Sequence, residues 1–214
     1  MESVCRILVL ISGNGSNLQA IIDGNKEKSK AQIVGVISDN IEAFGLIRAQ
    51  KNDIANQCVI PKQGETKEDY ENRLRKSIET YQPDLIVLAG FMRILSANIV
   101  NHYQGKIINI HPSLLPKYTG LNTHQRAIDA NDTEHGVSVH FVIPELDKGP
   151  VILQAKVPVY DDDTAEMLAS RVLEQEHSIY PLVVKWFAEG RLQMQQNQAW
   201  LDGKVIGDNG YAPD

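Results

Sequence analysis

Asn109 and His111 offer the most chemistry in this sequence. They stand two apart in Asn109-Ile110-His111-Pro112-Ser113-Leu114-Leu115-Pro116, at the end of the apolar run 106–110. Side chains alternate along a strand, so both fall on one face and Ile110 on the other. A polar pair on an otherwise apolar strand is costly unless something satisfies it. Pro112 cannot donate to a sheet ladder and ends the strand. The pair therefore projects at the carboxyl edge of the sheet, where open α/β folds bind ligands. An imidazole can stabilise an oxyanion and shuttle a proton near neutral pH. An amide N–H aimed at a developing oxyanion is worth roughly 3–4 kcal/mol. A satisfied structural histidine beside a turn asparagine is the bland alternative, but the Asn-x-His-Pro arrangement favours chemistry.

A histidine in this role needs an orienting carboxylate. Asp147, in Glu145-Leu146-Asp147-Lys148-Gly149-Pro150, is the best candidate. The Gly-Pro pair after it stiffens the loop. Nothing local brings Asp147 to His111, and by spacing alone a solvated turn acid is the simpler reading.

A second motif is Ser12-Gly13-Asn14-Gly15-Ser16-Asn17, between an apolar run and a helical pattern. Helix starts present free N–H groups that suit an anion, glycines allow close backbone approach, and Ser16 and Asn17 add donors and can cap the helix. The segment lacks the Lys-Ser/Thr ending of a Walker A loop and does not match G-x-G-x-x-G. A phosphate cradle and a plain tight turn before a capped helix both remain open.

The elements around these motifs alternate. Strands are expected over Cys5–Ile11, 32–38, 57–60, 84–89 and 106–110, and helices over 18–25, 42–50 and Lys67–Tyr81. Continuous apolar strands alternating with helical patterns indicate an α/β fold: an open, mostly parallel twisted sheet, Rossmann-like, with helices on both faces. The second half changes style. Strands at 136–142 and 151–159, joined by the polar loop 144–150, read as an antiparallel addition near the sheet edge. A long helix over 164–189 carries Pro181, a place where it could break, and 199–206 reads as a short hairpin. No repeat or linker interrupts the 214 residues, so one domain over 1–214 is expected.

The remaining polar residues weigh less. His135 and His140 are five apart and do not form a ligand pair by strand alternation; His140 suits the core or a pocket wall. His102 falls on a surface helix. His177 could pack the long helix or, beside Glu176, touch a ligand. Asp161-Asp162-Asp163 suits dipole complementation before a helix rather than a metal, and Trp186 and Trp200 suit packing of the C-terminal layer. The net charge of −6 argues against a nucleic-acid surface. The two cysteines, Cys5 and Cys58, form no C-x-x-C pair, so no zinc or redox site is expected. Lacking a signal peptide or membrane-length apolar run, the sequence reads as cytoplasmic.

These motifs together resemble the folate-dependent formyltransferases. Asn109 to Pro116 followed by Gly120, Leu146-Asp147-Lys148-Gly149-Pro150, and Gly13-Asn14-Gly15-Ser16-Asn17-Leu18-Gln19-Ala20 carry the likeness. Ala89-Gly90-Phe91-Met92-Arg93-Ile94-Leu95, 135–142 and 175–181 extend it over essentially the whole chain, most closely to the phosphoribosylglycinamide formyltransferase family. The resemblance implies that 10-formyltetrahydrofolate, as co-substrate, gives its formyl group to the amine of the glycinamide ribonucleotide in purine synthesis, with no metal. It implies Asn109, His111 and Asp147 as the catalytic set, with Asp147 favouring the imidazolium of His111. It puts the ribotide phosphate on Gly15, Ser16 and Asn17, and the glycinamide end at Glu176. Met92, Arg93, Ile94 and Leu95 would line the folate pocket, and loop 143–147, from Ile143 to Asp147, would close on the pterin. Lys67, where relatives often have Arg, falls near the folate tail, and Asn122 stands where they often carry His. Partners would be small molecules only, with no nucleic acid or membrane, in a monomer or homodimer.

Three rival readings carry different expectations. An enzyme formylating initiator methionyl-tRNA would add a nucleic-acid-binding domain after residue 214. A formyl-folate hydrolase would need no phosphate cradle. An inert binding module would not keep Asn109, His111 and Asp147 together.

Overall fold

Four apolar runs and the short segment Asn56–Cys58 become neighbouring parallel strands in the computed structural model, which describes residues 4–25 and 30–211. In chain order the elements are β1 (Cys5–Ile11), α1 (Ser16–Gly24), β2 (Ala31–Ser38), α2 (Phe44–Lys51), β3 (Asn56–Cys58), α3 (Lys67–Tyr81), β4 (Leu85–Leu88) and α4 (Ala97–His102). They continue with β5 (Ile107–His111), α5 (Thr123–Asp129), β6 (Glu134–Phe141), β7 (Val151–Pro158), α6 (Ala165–Ala188), β8 (Leu192–Gln195), β9 (Gln198–Leu201) and β10 (Lys204–Val205). The main sheet has seven strands in the order β3-β2-β1-β4-β5-β6-β7. β3 to β5 are parallel, β6 is antiparallel to β5, and β7 is antiparallel to β6.

The period-2 alternation of β1 shows why both faces are covered. Ile7, Val9 and Ile11 pack with Leu18 and Ile21 of α1 and Leu168, Val172 and Tyr180 of α6. Leu8 and Leu10 point the other way, onto Tyr70, Leu74 and Ile78 of α3 and Ile99 of α4. A strand buried on both sides needs no polar face, which is why its sequence is a continuous apolar run.

The strand order reverses between β1 and β4, so the chain leaves their carboxyl ends in opposite directions and opens a crevice there. The Met92 amide donates to Ser12 Oγ at 2.8 Å across that gap.

Four expectations change in detail. α6 runs unbroken through Pro181. Burial of Tyr180, Val183 and Val184 holds the helix despite the missing amide donor, and the proline ring packs on Gly24, where a Cβ would come within 2.8 Å. The C-terminal hairpin is a three-stranded meander, because β8 pairs with β9 as well. Neither Ser16 nor Asn17 caps α1: the N-cap is Gly15, with no side-chain bond. The acidic run is more than dipole complementation. Asp163 is buried, accepts from Arg171 Nη1 and Nη2 at 2.7 and 2.8 Å, and accepts from the Tyr160 amide at 2.9 Å.

Candidate active site

β5 delivers Asn109 half-buried and His111 buried at its carboxyl end. Its antiparallel neighbour β6 sets His140 opposite Asn109 and Ser138 opposite His111. The register of β6 against β7 slips by one residue between Val139 and His140, with Ile152 of β7 left over.

The loop after β6 turns back tightly. A Cβ on Gly149 would overlap the Phe141 carbonyl oxygen, so only glycine fits. That turn swings Asp147 inward, buried, with a left-handed φ of 52°. Its Oδ2 lies 3.6 Å from His111 Nδ1 and accepts the Gly120 amide at 2.8 Å. Asp147 is thus no solvated turn acid; it joins two loops beside the imidazole.

Hydrogen bonding fixes the ring states. His111 Nε2 lies 2.8 Å from the Tyr118 carbonyl. A carbonyl only accepts, so Nε2 carries a proton and Nδ1 is the nitrogen facing Asp147. The same logic applies to His140, whose Nδ1 donates to the Phe141 carbonyl at 2.8 Å. Its Nε2 therefore accepts from Asn109 Nδ2 at 3.3 Å, which sets the orientation of that amide. Burial pushes the pKa of His140 down, outweighing the Phe141 carbonyl and Asp147, and keeps the ring neutral. The 3.9 Å from His140 Nε2 to Asp147 Oδ1 is then no ion pair. His124 and His135 stand 3.2 Å apart. Burial, then His111, lowers the pKa of His124, and burial followed by His124 lowers that of His135 to about 4.

Asn109, His111, His124, His140 and Asp147 line a cavity of about 640 Å³. Residues 90–95 form one wall, including Met92, Arg93, Ile94 and Leu95; loop 142–147, including Ile143, forms another, and 120–124 a third. Met92, Ile94, Leu121 and Leu146 are exposed. Arg93 lines the cavity, yet its guanidinium turns to Asp39 at 2.7 Å and to the Tyr70 ring at 5.0 Å. At the far end Asn17 Nδ2 donates to Glu176 Oε2 at 2.7 Å. Burial raises the Glu176 pKa, against the opposing bond from Asn17. Asn17 Oδ1 is buried without a hydrogen-bond partner, an acceptor aimed at nothing in the protein.

Other expected residues lie outside this cavity. Gly15 and Ser16 are not among its lining residues. Gly15 has φ 73°, and a Cβ there would stand 2.6 Å from the Gly45 Cα of α2, so this glycine is required by packing. Lys67 is also outside the lining, two-thirds exposed at the start of α3 with Nζ 3.8 Å from Glu71. His177 does not line the cavity, and its pKa is lowered by burial and then by Arg48. Asn122 lines the cavity as the left-handed N-cap of α5. Trp186 is buried against Tyr211 at 5.4 Å between ring centroids. Sequence reading missed the Tyr118 carbonyl and the Gly120 amide, because backbone partners leave no mark on residue type. It also missed Arg48, whose Nε and Nη2 hold Asn14 O and Oδ1 at 2.9 and 3.0 Å.

Among the described residues no group of three or more His, Cys, Asp or Glu is placed to hold a metal ion. No helix among them is long and apolar enough to cross a membrane.

Residues 5–184 match the formyl transferase family. The phosphoribosylglycinamide formyltransferase of Escherichia coli K12 is 56% identical over 209 residues, covering 97% of this chain and 99% of the relative. That of Haemophilus influenzae is 49% identical over 208 residues, covering 97% and 98%. Among solved structures, the Coxiella burnetii phosphoribosylglycinamide formyltransferase in complex with CHES superimposes with a TM-score of 0.92 at 52% identity, covering 97% of this chain and 98% of the other.

Proposed function

The chain belongs to the formyl transferase family, and we propose that it transfers a formyl group from 10-formyltetrahydrofolate to the amine of N1-(5-phospho-β-D-ribosyl)glycinamide, yielding the N-formyl product and tetrahydrofolate in de novo purine synthesis. The observation that carries this reading is the convergence of Asn109, His111 and Asp147 in one cavity. The donor brings an electrophilic formyl carbonyl; the residues must bind it, meet the charge and move a proton.

Asn109 meets the formyl oxygen with its amide. One N–H is spent on His140, and that bond aims the other. His111 works through Nδ1, because Nε2 is held by Tyr118. As the imidazolium, Nδ1–H faces the developing oxyanion and gives its proton to the departing folate nitrogen, and the ring takes a proton back from the attacking amine. Asp147, 3.6 Å away, stabilises that cation without displacing the substrate oxygen. Attack by the amine is direct, so no covalent enzyme intermediate is needed.

The apolar rim of Met92, Ile94 and Leu146 suits the flat pterin, with Arg93, Leu95 and Ile143 in the same lining. Asn17 Oδ1 and Glu176 accept from the glycinamide end, filling the acceptor left unpartnered. Gly15 and Ser16 offer amides at the start of α1 to the ribotide phosphate, and Lys67 extends toward the folate tail. Tetrahydrofolate release measured with the ribotide, against water alone, tests the reading. Release that needs no ribotide would make the protein a hydrolase.

A further inference from the structure

The working orientation of His111 depends on one backbone carbonyl, that of Tyr118, which lies outside β5 and does not line the cavity. Tyr118 has φ 62°, a left-handed conformation unfavourable for a residue with a side chain. Something must impose it. The phenol hydroxyl donates to Asp132 Oδ2 at 2.6 Å. Lys117 Nζ lies 5.0 Å from the Tyr118 ring centroid and pairs with Asp132 at 2.5 Å. Arg126 stands 5.0 Å from the same centroid while its Nη1 donates to the Thr119 carbonyl at 2.6 Å. Asp132 lies in the turn between α5 and β6. The ring is thus held at its tip by an acid from that turn and flanked by two cations.

The held carbonyl does two things. It accepts from His111 Nε2, and it accepts from Ser113 Oγ at 3.1 Å. The same loop supplies the Gly120 amide to Asp147. One anchored segment therefore sets the tautomer of the imidazole and the position of its carboxylate.

We propose that Tyr118, anchored through its hydroxyl on Asp132, is a positioning residue that holds His111 in the Nε2–H tautomer with Nδ1 free to work. The consequence for rate rests on the formyl-transfer reading above; the anchor itself does not.

The test uses the full-length protein with ¹⁵N-labelled histidine. Tyr118→Phe keeps the ring between its cations and removes only the hydroxyl. Under alkaline conditions, His111 (assigned by loss of its signals in His111→Ala) should show one Nε2–H tautomer in the parent protein. In Tyr118→Phe it should show a mixture. In the same variant kcat should fall about 10- to 100-fold, the scale of a small misplacement of a catalytic group. KM for both substrates should stay within about threefold, since the reading has neither Tyr118 nor Asp132 touching substrate. Asp132→Ala should behave alike, and Asp132→Asn, which keeps an acceptor for the hydroxyl, should recover most of the rate. An unchanged kcat, a lowered kcat with the tautomer intact, or a rise in KM alone overturns the proposal. A parent protein without formyl transfer would overturn the functional reading instead, and the ¹⁵N spectra would still judge the anchor.

Discussion

His111 Nδ1 and Asp147 Oδ2 stand 3.6 Å apart although the two residues are 36 positions apart in sequence. The gap exceeds a direct N–H···O bond. It leaves the carboxylate able to stabilise a cation while Nδ1 keeps its donor direction for another oxygen. Asp147 is held there by the Gly120 amide rather than by the imidazole itself.

Removing the imidazole should therefore remove chemistry and spare binding. His111→Ala is expected to lower kcat by about 10²–10⁴, the range of a lost acid–base group. Affinity for the folate donor, measured by equilibrium titration, should stay within a few-fold. Normal turnover would take His111 out of the mechanism.

Asp147→Asn tests charge apart from shape. The amide oxygen can still accept from Gly120, so the loop keeps its place. Initial rates should show kcat reduced by about 10- to 100-fold with little change in KM, the signature of an interaction made chiefly in the transition state. Asp147→Ala frees the loop as well and should also raise KM for the donor. Equal kinetics for Asn and parent would show that the negative charge does nothing.

Much of this was legible in the sequence, for identifiable reasons. Cys5–Ile11 reads as a buried strand because both its faces pack on helices. Asn109 and His111 stand out because polar residues are rare on such strands. The approach of Asp147 was not readable locally: it depends on the antiparallel turn of β6 and on Gly149 passing the Phe141 carbonyl. His140 read only as a core or wall residue, because its bond to Asn109 exists through strand register. Gly15 read as a phosphate glycine, and the structure adds a packing demand from Gly45.

That demand makes Gly15 a mixed probe. Gly15→Ala places a Cβ 2.6 Å from Gly45 Cα at a positive φ. Chemical denaturation should show a loss of about 1–3 kcal/mol, the cost of a strained backbone position. In the fraction that folds, the ribotide should weaken far more than the folate. Equal weakening of both would point to misfolding rather than a phosphate site.

Acid should destabilise the protein through its buried imidazoles. His135 has its pKa lowered from 6.5 to about 4 on folding, by burial first. A depressed folded value means that the unfolded chain takes up the proton first as pH falls. The stabilising contribution is complete above about 6.5 and is lost on descending toward about 4. Replacing the imidazole with an uncharged ring, His135→Phe, should flatten melting temperature against pH across that window. A parallel pair of curves would show that His135 does not titrate there.

The most direct measurement follows the formyl carbon itself. The protein is mixed with 10-[¹³C-formyl]tetrahydrofolate and the glycinamide ribonucleotide, and the label is traced by ¹³C NMR. The account predicts a formamide carbon on the glycinamide nitrogen, formed only with ribotide present and nearly absent with His111→Ala. Label appearing as free formate, or staying on the folate, would contradict it.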